Sequence, residues 1–236
     1  MDPNERPAMT RERWMALCFA LGSACFFVGP FPGYVSLVGS TAVGVTFFVG
    51  SILFTAGGAL QTALAAPNRH DAAAGRAAWW TAVIQSAGTL FFNVTTFTAL
   101  STLPSQPGYD RLVWRPDAFG SICFLVSGVI AYRASARHGP WPVRGHPGWW
   151  EPAVNLLGCV FFGISAVAGY LVPSTGSILD LAWANWNTAL GAACFLACAV
   201  ATLLTGRTTK SPRFRRLRAL EHTVEHDVER EIGWIG

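Results

Sequence analysis

Long apolar runs alternate along the chain with short polar and basic breaks. Six runs stand out, at about residues 14–33, 41–66, 78–103, 116–134, 152–172 and 180–205. A helix needs roughly 20 mostly apolar residues to cross a bilayer, and each run approaches or exceeds that length. None carries a charge near its middle. Their interruptions are Ser, Thr, Gly and a few Asn or Gln, which membrane helices tolerate because the helix satisfies its own backbone. The pattern predicts an all-α, polytopic transmembrane bundle of six helices over residues 14–205, with a tail at 1–13 and another at 206–236. The first run follows Arg11 and Arg13 like a signal peptide, and "GSAC" (22–25) resembles a lipoprotein cleavage box. That box takes Leu where Gly22 stands, so the run is expected to be retained.

A second pattern lies inside the runs. Gly-x3-Phe occurs at Gly22/Phe26, Gly50/Phe54, Gly88/Phe92, Gly120/Phe124, Gly158/Phe162 and Gly191/Phe195, one per run, with a further copy at Gly44/Phe48. Trp14, Trp80, Trp150 and Trp183 each precede one of these glycines by eight residues. The Gly–Gly spacings are 28, 32 and 33 within successive pairs of runs and 38 between pairs. That spacing predicts three copies of one helical hairpin. Residues four apart share a helix face. The glycine admits a neighbouring backbone, and the ring packs beside the gap. The tryptophans are expected to anchor helix ends at the membrane interface. Gly22, Gly50, Gly88, Gly120, Gly158 and Gly191 are therefore the expected helix-packing positions.

Charge orients the bundle. Fifteen of the 17 Lys and Arg fall in the N-terminal tail, the second and fourth breaks and the C-terminal tail; only Arg111 and Arg115 fall on the other side. Both termini are expected in the cytoplasm. Charged residues make up 13% of the chain, about half the share in soluble domains. Arg outnumbers Lys 16 to 1, a usage expected of a high-GC bacterial genome and hence of a bacterial inner membrane. All six cysteines lie within the runs, which argues against an extracellular disulfide framework.

The strings "FVGSILF" (48–54) and "FGSICF" (119–124) resemble the YrhK-like family of small bacterial membrane proteins, whose two-helix unit carries Gly-Ser-x-x-Phe in its second helix. The last run departs from it, with "LGAACF" (190–195) lacking the Ser. The resemblance implies architecture only and brings no activity, cofactor or site.

Few residues offer chemistry. Three positions before the repeat glycines stand Gln85 and Asn155, in equivalent places, and Asn93, Asn185 and Asn187 add further amides. Polar groups in lipid face the bundle. Gln85, Asn93, Asn155 and Asn187 are the candidate polar intramembrane positions, either as hydrogen-bonding glue between helices or as a pathway for a small solute. Asp117, Glu151 and Asp180 open helices, where a carboxylate offsets the helix dipole. The C-terminal tail joins basic "RFRRLR" (213–218) to an acidic stretch whose apolar residues recur every three or four positions. It predicts an amphipathic cytoplasmic helix, touching lipid headgroups or, through residues 213–235, a protein partner or a second copy. Within it His222, Glu225 and His226 spell H-x-x-E-H, but a catalytic zinc needs a third protein ligand that the sequence does not offer. No phosphate-binding glycine loop or nucleophile elbow appears. Catalytic residues, cofactor, metal site and nucleic-acid partner are thus all expected to be absent. The first expectation is a non-enzymatic integral membrane protein of structural or interaction type, assembling through its Gly–Phe faces. The alternative is a small-solute transporter or channel with an amide-lined pathway.

Overall fold

A computed structural model describes residues 10–106, 108–136 and 150–205. The tail at 206–236, with its expected amphipathic helix, partner surface at 213–235 and His222/Glu225/His226 pattern, lies outside the described residues. Among the described residues there are seven α-helices: α1 (Arg11–Val28), α2 (Pro32–Val38), α3 (Ser40–Ala65), α4 (Ala73–Thr98), α5 (Arg115–Ser135), α6 (Trp150–Ala168) and α7 (Leu181–Thr205). A two-stranded antiparallel ribbon, Leu171–Val172 with Ser177–Ile178, links α6 to α7.

Six of the helices are long and match the six apolar runs. The seventh, α2, was not expected. It arises where Pro30 and Pro32 break the first run. Phe31, forced toward the extended region by the proline after it, has φ −74° and ψ 130°, and Pro32 begins a new helix. The chain turns by 92° between α1 and α2. Gly39 then reverses it into α3 at φ 82°, a conformation that glycine adopts without penalty.

Four segments are long and apolar enough to cross a membrane: Ser40–Asn68, Asp110–Ser135, Trp150–Ala168 and Leu181–Thr205, with α1 and α2 as a fifth if the bent pair counts as one span. The expectation of six was therefore too generous by this measure. Eight Ser, Thr, Asn and Gln side chains dilute α4. α1 has only 18 residues and begins with Arg11, Glu12 and Arg13. The surface nonetheless suits lipid. Leu21, Ile52, Leu90, Ile122, Leu157 and Leu190 are exposed, whereas Ser23, Ser51, Thr89, Ser121 and Ser127 are buried. Water-soluble proteins show the reverse preference, and membrane bundles pack on small residues.

The long helices close a ring in the order α1, α3, α4, α5, α6, α7, with α7 returning to α1. The glycines set three of the crossings. A Cβ built on Gly22 would lie 3.0 Å from the Gly50 carbonyl oxygen; on Gly88, 3.0 Å from that of Gly120; on Gly191, 3.0 Å from that of Gly158. Each glycine is also covered by the Phe of the opposite helix, as Gly50 by Phe26 and Gly120 by Phe92. All six glycines are buried within the chain. These faces are consumed in folding one chain and are not open to a second copy, contrary to the expectation that they drive assembly.

The six repeat phenylalanines meet on the axis as the bundle core. Phe92 and Phe124 have ring centroids 5.0 Å apart, and Phe162 and Phe195 stack at 5.4 Å. Phe54 contacts Phe195 at 6.0 Å and Phe92 contacts Phe162 at 5.9 Å, which links the three crossings. The void among these rings is about 10 Å³, at the lower limit for one water. Hydroxyls join neighbouring helices around this core. Ser51 pairs with Thr96 at 2.9 Å, Thr62 with Ser86 at 2.9 Å, and Ser165 with Thr188 at 2.7 Å.

Candidate functional site

On one side of the phenylalanine core the bundle axis opens into a cavity of about 250 Å³ to which all six long helices contribute. The N-terminal halves of α1, α4 and α6 and the C-terminal halves of α3, α5 and α7 build its walls. Arg11, Arg13, Arg69, Arg76 and Arg133 sit at this end of the helices.

The lining follows the glycine frame. Seven residues before the glycines of α1, α4 and α6 stand Met15, Thr81 and Glu151; three before them stand Phe19, Gln85 and Asn155. Eleven residues after the glycines of α3, α5 and α7 stand Gln61, Ala131 and Thr202. One helix turn is about 5.4 Å, so these positions form stacked tiers above the phenylalanines. Phe54 and Phe195 close the floor, and Cys198 and Ala199 complete the α7 wall. The tiers are chemically unequal. The α1 sector is apolar (Met15, Ala16, Phe19), and the equivalent places on α4 and α6 are polar (Thr81, Gln85; Glu151, Asn155).

Two lining groups lack partners in the fold. The Thr81 side chain is only 7% exposed, and its Oγ1 makes no hydrogen bond; Gln61 Oε1 is buried and also makes none. A buried polar group left so costs about 1–3 kcal/mol. Asn155 Nδ2 lies 3.9 Å from Cys159 Sγ, a weak acceptor one turn along.

Of the four amides expected to matter, the structure therefore brings Gln85 and Asn155 together. Asn93 lies elsewhere, donating from Nδ2 to Thr55 Oγ1 at 2.9 Å across α3 and α4. Asn187 is buried and donates to the Trp183 carbonyl of its own helix at 2.8 Å. Both act as glue. Asp180 caps α7 as expected, accepting from the Trp183 N–H at 2.9 Å. Glu151 opens α6, as expected of a capping residue, and also lines the cavity. Arg115 pairs with Asp110 at 2.8 Å.

Sequence reasoning missed Gln61, Thr81 and Thr202. Extending the glycine frame seven residues back and eleven forward would have found them. Among the described residues no three His, Cys, Asp or Glu side chains gather as a metal site. The arrangement offers hydrogen-bond donors and acceptors, one carboxylate and an aromatic floor, which suits binding of a small molecule. No family model, curated protein or solved structure matches the chain.

Proposed function

We propose that this chain is a multi-pass membrane protein that binds a small polar solute in the vestibule, as the closed state of a transporter or channel. One observation carries the reading: a cavity on the bundle axis that holds amide side chains beside apolar ones, lined by all six long helices and stopped by packed phenylalanines. Packing alone does not account for a tier of amides around a space. In lipid, polar groups that line a cavity mark pathways.

In this reading all six long helices span the bilayer as three equivalent hairpins, the architecture that the YrhK-like resemblance also implies. Equivalent hairpins inserted the same way round are related by an axis along the membrane normal. The basic end faces the cytoplasm by the positive-inside rule, so the vestibule opens inward and both termini are cytoplasmic. The chain performs no covalent chemistry.

Native mass spectrometry of the detergent-purified protein tests this. The wild type should retain a discrete small-molecule mass that the double variant Gln85→Leu/Asn155→Leu, folded and of the same subunit number, does not. Bare chains in both preparations would overturn the reading.

A further inference from the structure

We infer that a phospholipid binds on the lipid-facing side of the ring, one acyl chain lying in the seam between α5 and α6 and its phosphate meeting Arg115 and Arg111. The site lies at the end opposite the vestibule and does not depend on what the vestibule holds.

The glycine frame explains why this seam is open. Successive hairpins meet at three seams, α3–α4, α5–α6 and α7–α1. At the end away from the vestibule, each seam sets the residue two before one repeat glycine near the residue nine after another. At α3–α4 these are Phe48 and Phe97, whose ring centroids lie 5.6 Å apart. At α7–α1 they are Ala189 and Phe31, and Phe31 packs on Trp186 at 5.9 Å. At α5–α6 they are Ala118 and Val167, and neither carries a ring. A groove of about 480 Å³ remains there, its walls built mainly by Trp114, Ala118, Ile122, Leu125, Ile164 and Val167.

The lining asks for hydrocarbon. Its side-chain polar groups are already used: Ser121 Oγ donates to the Phe162 carbonyl at 3.3 Å, and Trp114 Nε1 to the Ala166 carbonyl at 2.8 Å. Ile122, Val160, Ile164 and Val167 are exposed on the outside of the ring, the surface that acyl chains cover in a membrane bundle. Apolar walls with no atoms against them forfeit dispersion contacts. An acyl chain restores them, as Phe48 and Phe97 do at their own seam.

The mouth of the groove selects the head. Arg115 shares a face of α5 with Ala118 and Ile122, three and seven residues on. Its Nε donates to Asp110 Oδ2 at 2.8 Å, and its Nη groups make no hydrogen bond among the described residues. Arg111 is exposed and forms no ion pair among the described residues. The two guanidinium groups against Asp110 leave a net positive charge. The nearby carboxylates are engaged elsewhere: Asp117 shares the Gly120–Phe124 face, toward the axis, and Asp180 caps α7. A guanidinium grips phosphate oxygens with its fork of N–H donors. Trp114 and Tyr170, edge to face at 4.8 Å, mark the level at which headgroups begin.

The test places the full chain in nanodiscs containing a trace of phosphatidylglycerol with a diazirine midway along one acyl chain, and mass spectrometry maps the adducts after illumination. Labelling should concentrate on Ile122, Ile164 and Val167, above that at the equally exposed Leu90 and Leu190. Ala118→Phe, which supplies the ring that Phe48 provides at α3–α4, should abolish the excess and leave Leu90 and Leu190 unchanged; Val167→Phe serves if that variant does not fold. Unlabelled phosphatidylglycerol should compete about tenfold better than dioleoylglycerol, which lacks the phosphate, as loss of a charge-assisted hydrogen bond requires. Arg111→Gln/Arg115→Gln should remove that difference. The competition on the wild type decides without either ring variant. Labelling at α5–α6 no greater than at Leu90 and Leu190 overturns the site. Equal competition by the diacylglycerol overturns the phosphate contact and with it the phospholipid. A seam shielded from the probe and cross-linked to a second copy identifies an interface between chains and overturns lipid as the occupant.

Discussion

Replacing Gly88 by Ala adds one methyl group at the α4–α5 crossing. The built Cβ would stand 2.8 Å from Phe124 Cδ1, 3.0 Å from Cys123 Cβ and 3.0 Å from the Gly120 carbonyl oxygen. Two of these neighbours are fixed to the α5 backbone. The third, Phe124, is 2% exposed and touches Phe92, Phe54, Phe162 and Phe195, so its ring has nowhere to swing. Relief requires α4 and α5 to separate. Overpacking of this kind costs about 1–3 kcal/mol. Alanine returns up to about 1 kcal/mol in helix propensity. The net expectation is a destabilisation of about 1 kcal/mol, the middle of the first range less the second figure. Gly33→Ala is the matched control, since nothing lies within 4 Å of a Cβ built there; it should be neutral or slightly stabilising. Reversible unfolding in mixed SDS and dodecylmaltoside micelles reads both. Gly88→Ala as stable as the wild type would refute close backbone packing at this crossing.

Further expectations address the core, the glue and the vestibule. Phe124→Ala should destabilise the bundle by about 3–5 kcal/mol, the usual loss for a buried aromatic, measured in the same micelle titration. Asn93→Leu should cost about 0.6–2 kcal/mol by breaking its bond to Thr55, yet leave binding of any vestibule ligand unchanged in NMR titrations. Gln85→Leu should do the opposite, with little change in unfolding and a clear loss of binding. Trp114→Phe removes the Nε1 donor to the Ala166 carbonyl, a 2.8 Å bond between the α5 approach and α6; a loss of about 1 kcal/mol in unfolding free energy is expected.

Much of this was legible in the sequence because the decisive signals are local. Gly-x3-Phe fixes which face of each helix turns inward, and all six rings indeed meet on the axis. Gln85 and Asn155 lie close to that face in the glycine frame, so their convergence follows. Other features depend on more than one helix. Periodicity in α3 places Gln61 on a face but not at a depth beside Thr81 of α4; only the closing of the ring does that. Asn93 and Asn187 looked like Gln85 by composition, but Thr55 and the Trp183 carbonyl claim them first. The glycine faces suggest surfaces for assembly from sequence alone, because a sequence does not tell whether a facing helix belongs to the same chain. The bend at Pro30–Pro32 and the polar dilution of α4 are local signals that hydrophobic run length does not register.

The central claim is a vestibule open at the basic end and sealed at mid-bundle. Accessibility of a single thiol tests it most directly. Gln85→Cys, in a chain whose native cysteines are replaced, is placed in oriented membrane vesicles and treated with a membrane-impermeant maleimide on one side or the other. The account predicts labelling from the side bearing Arg76 and Arg133 and none from the opposite side. Labelling from the opposite side, or from neither, would contradict it.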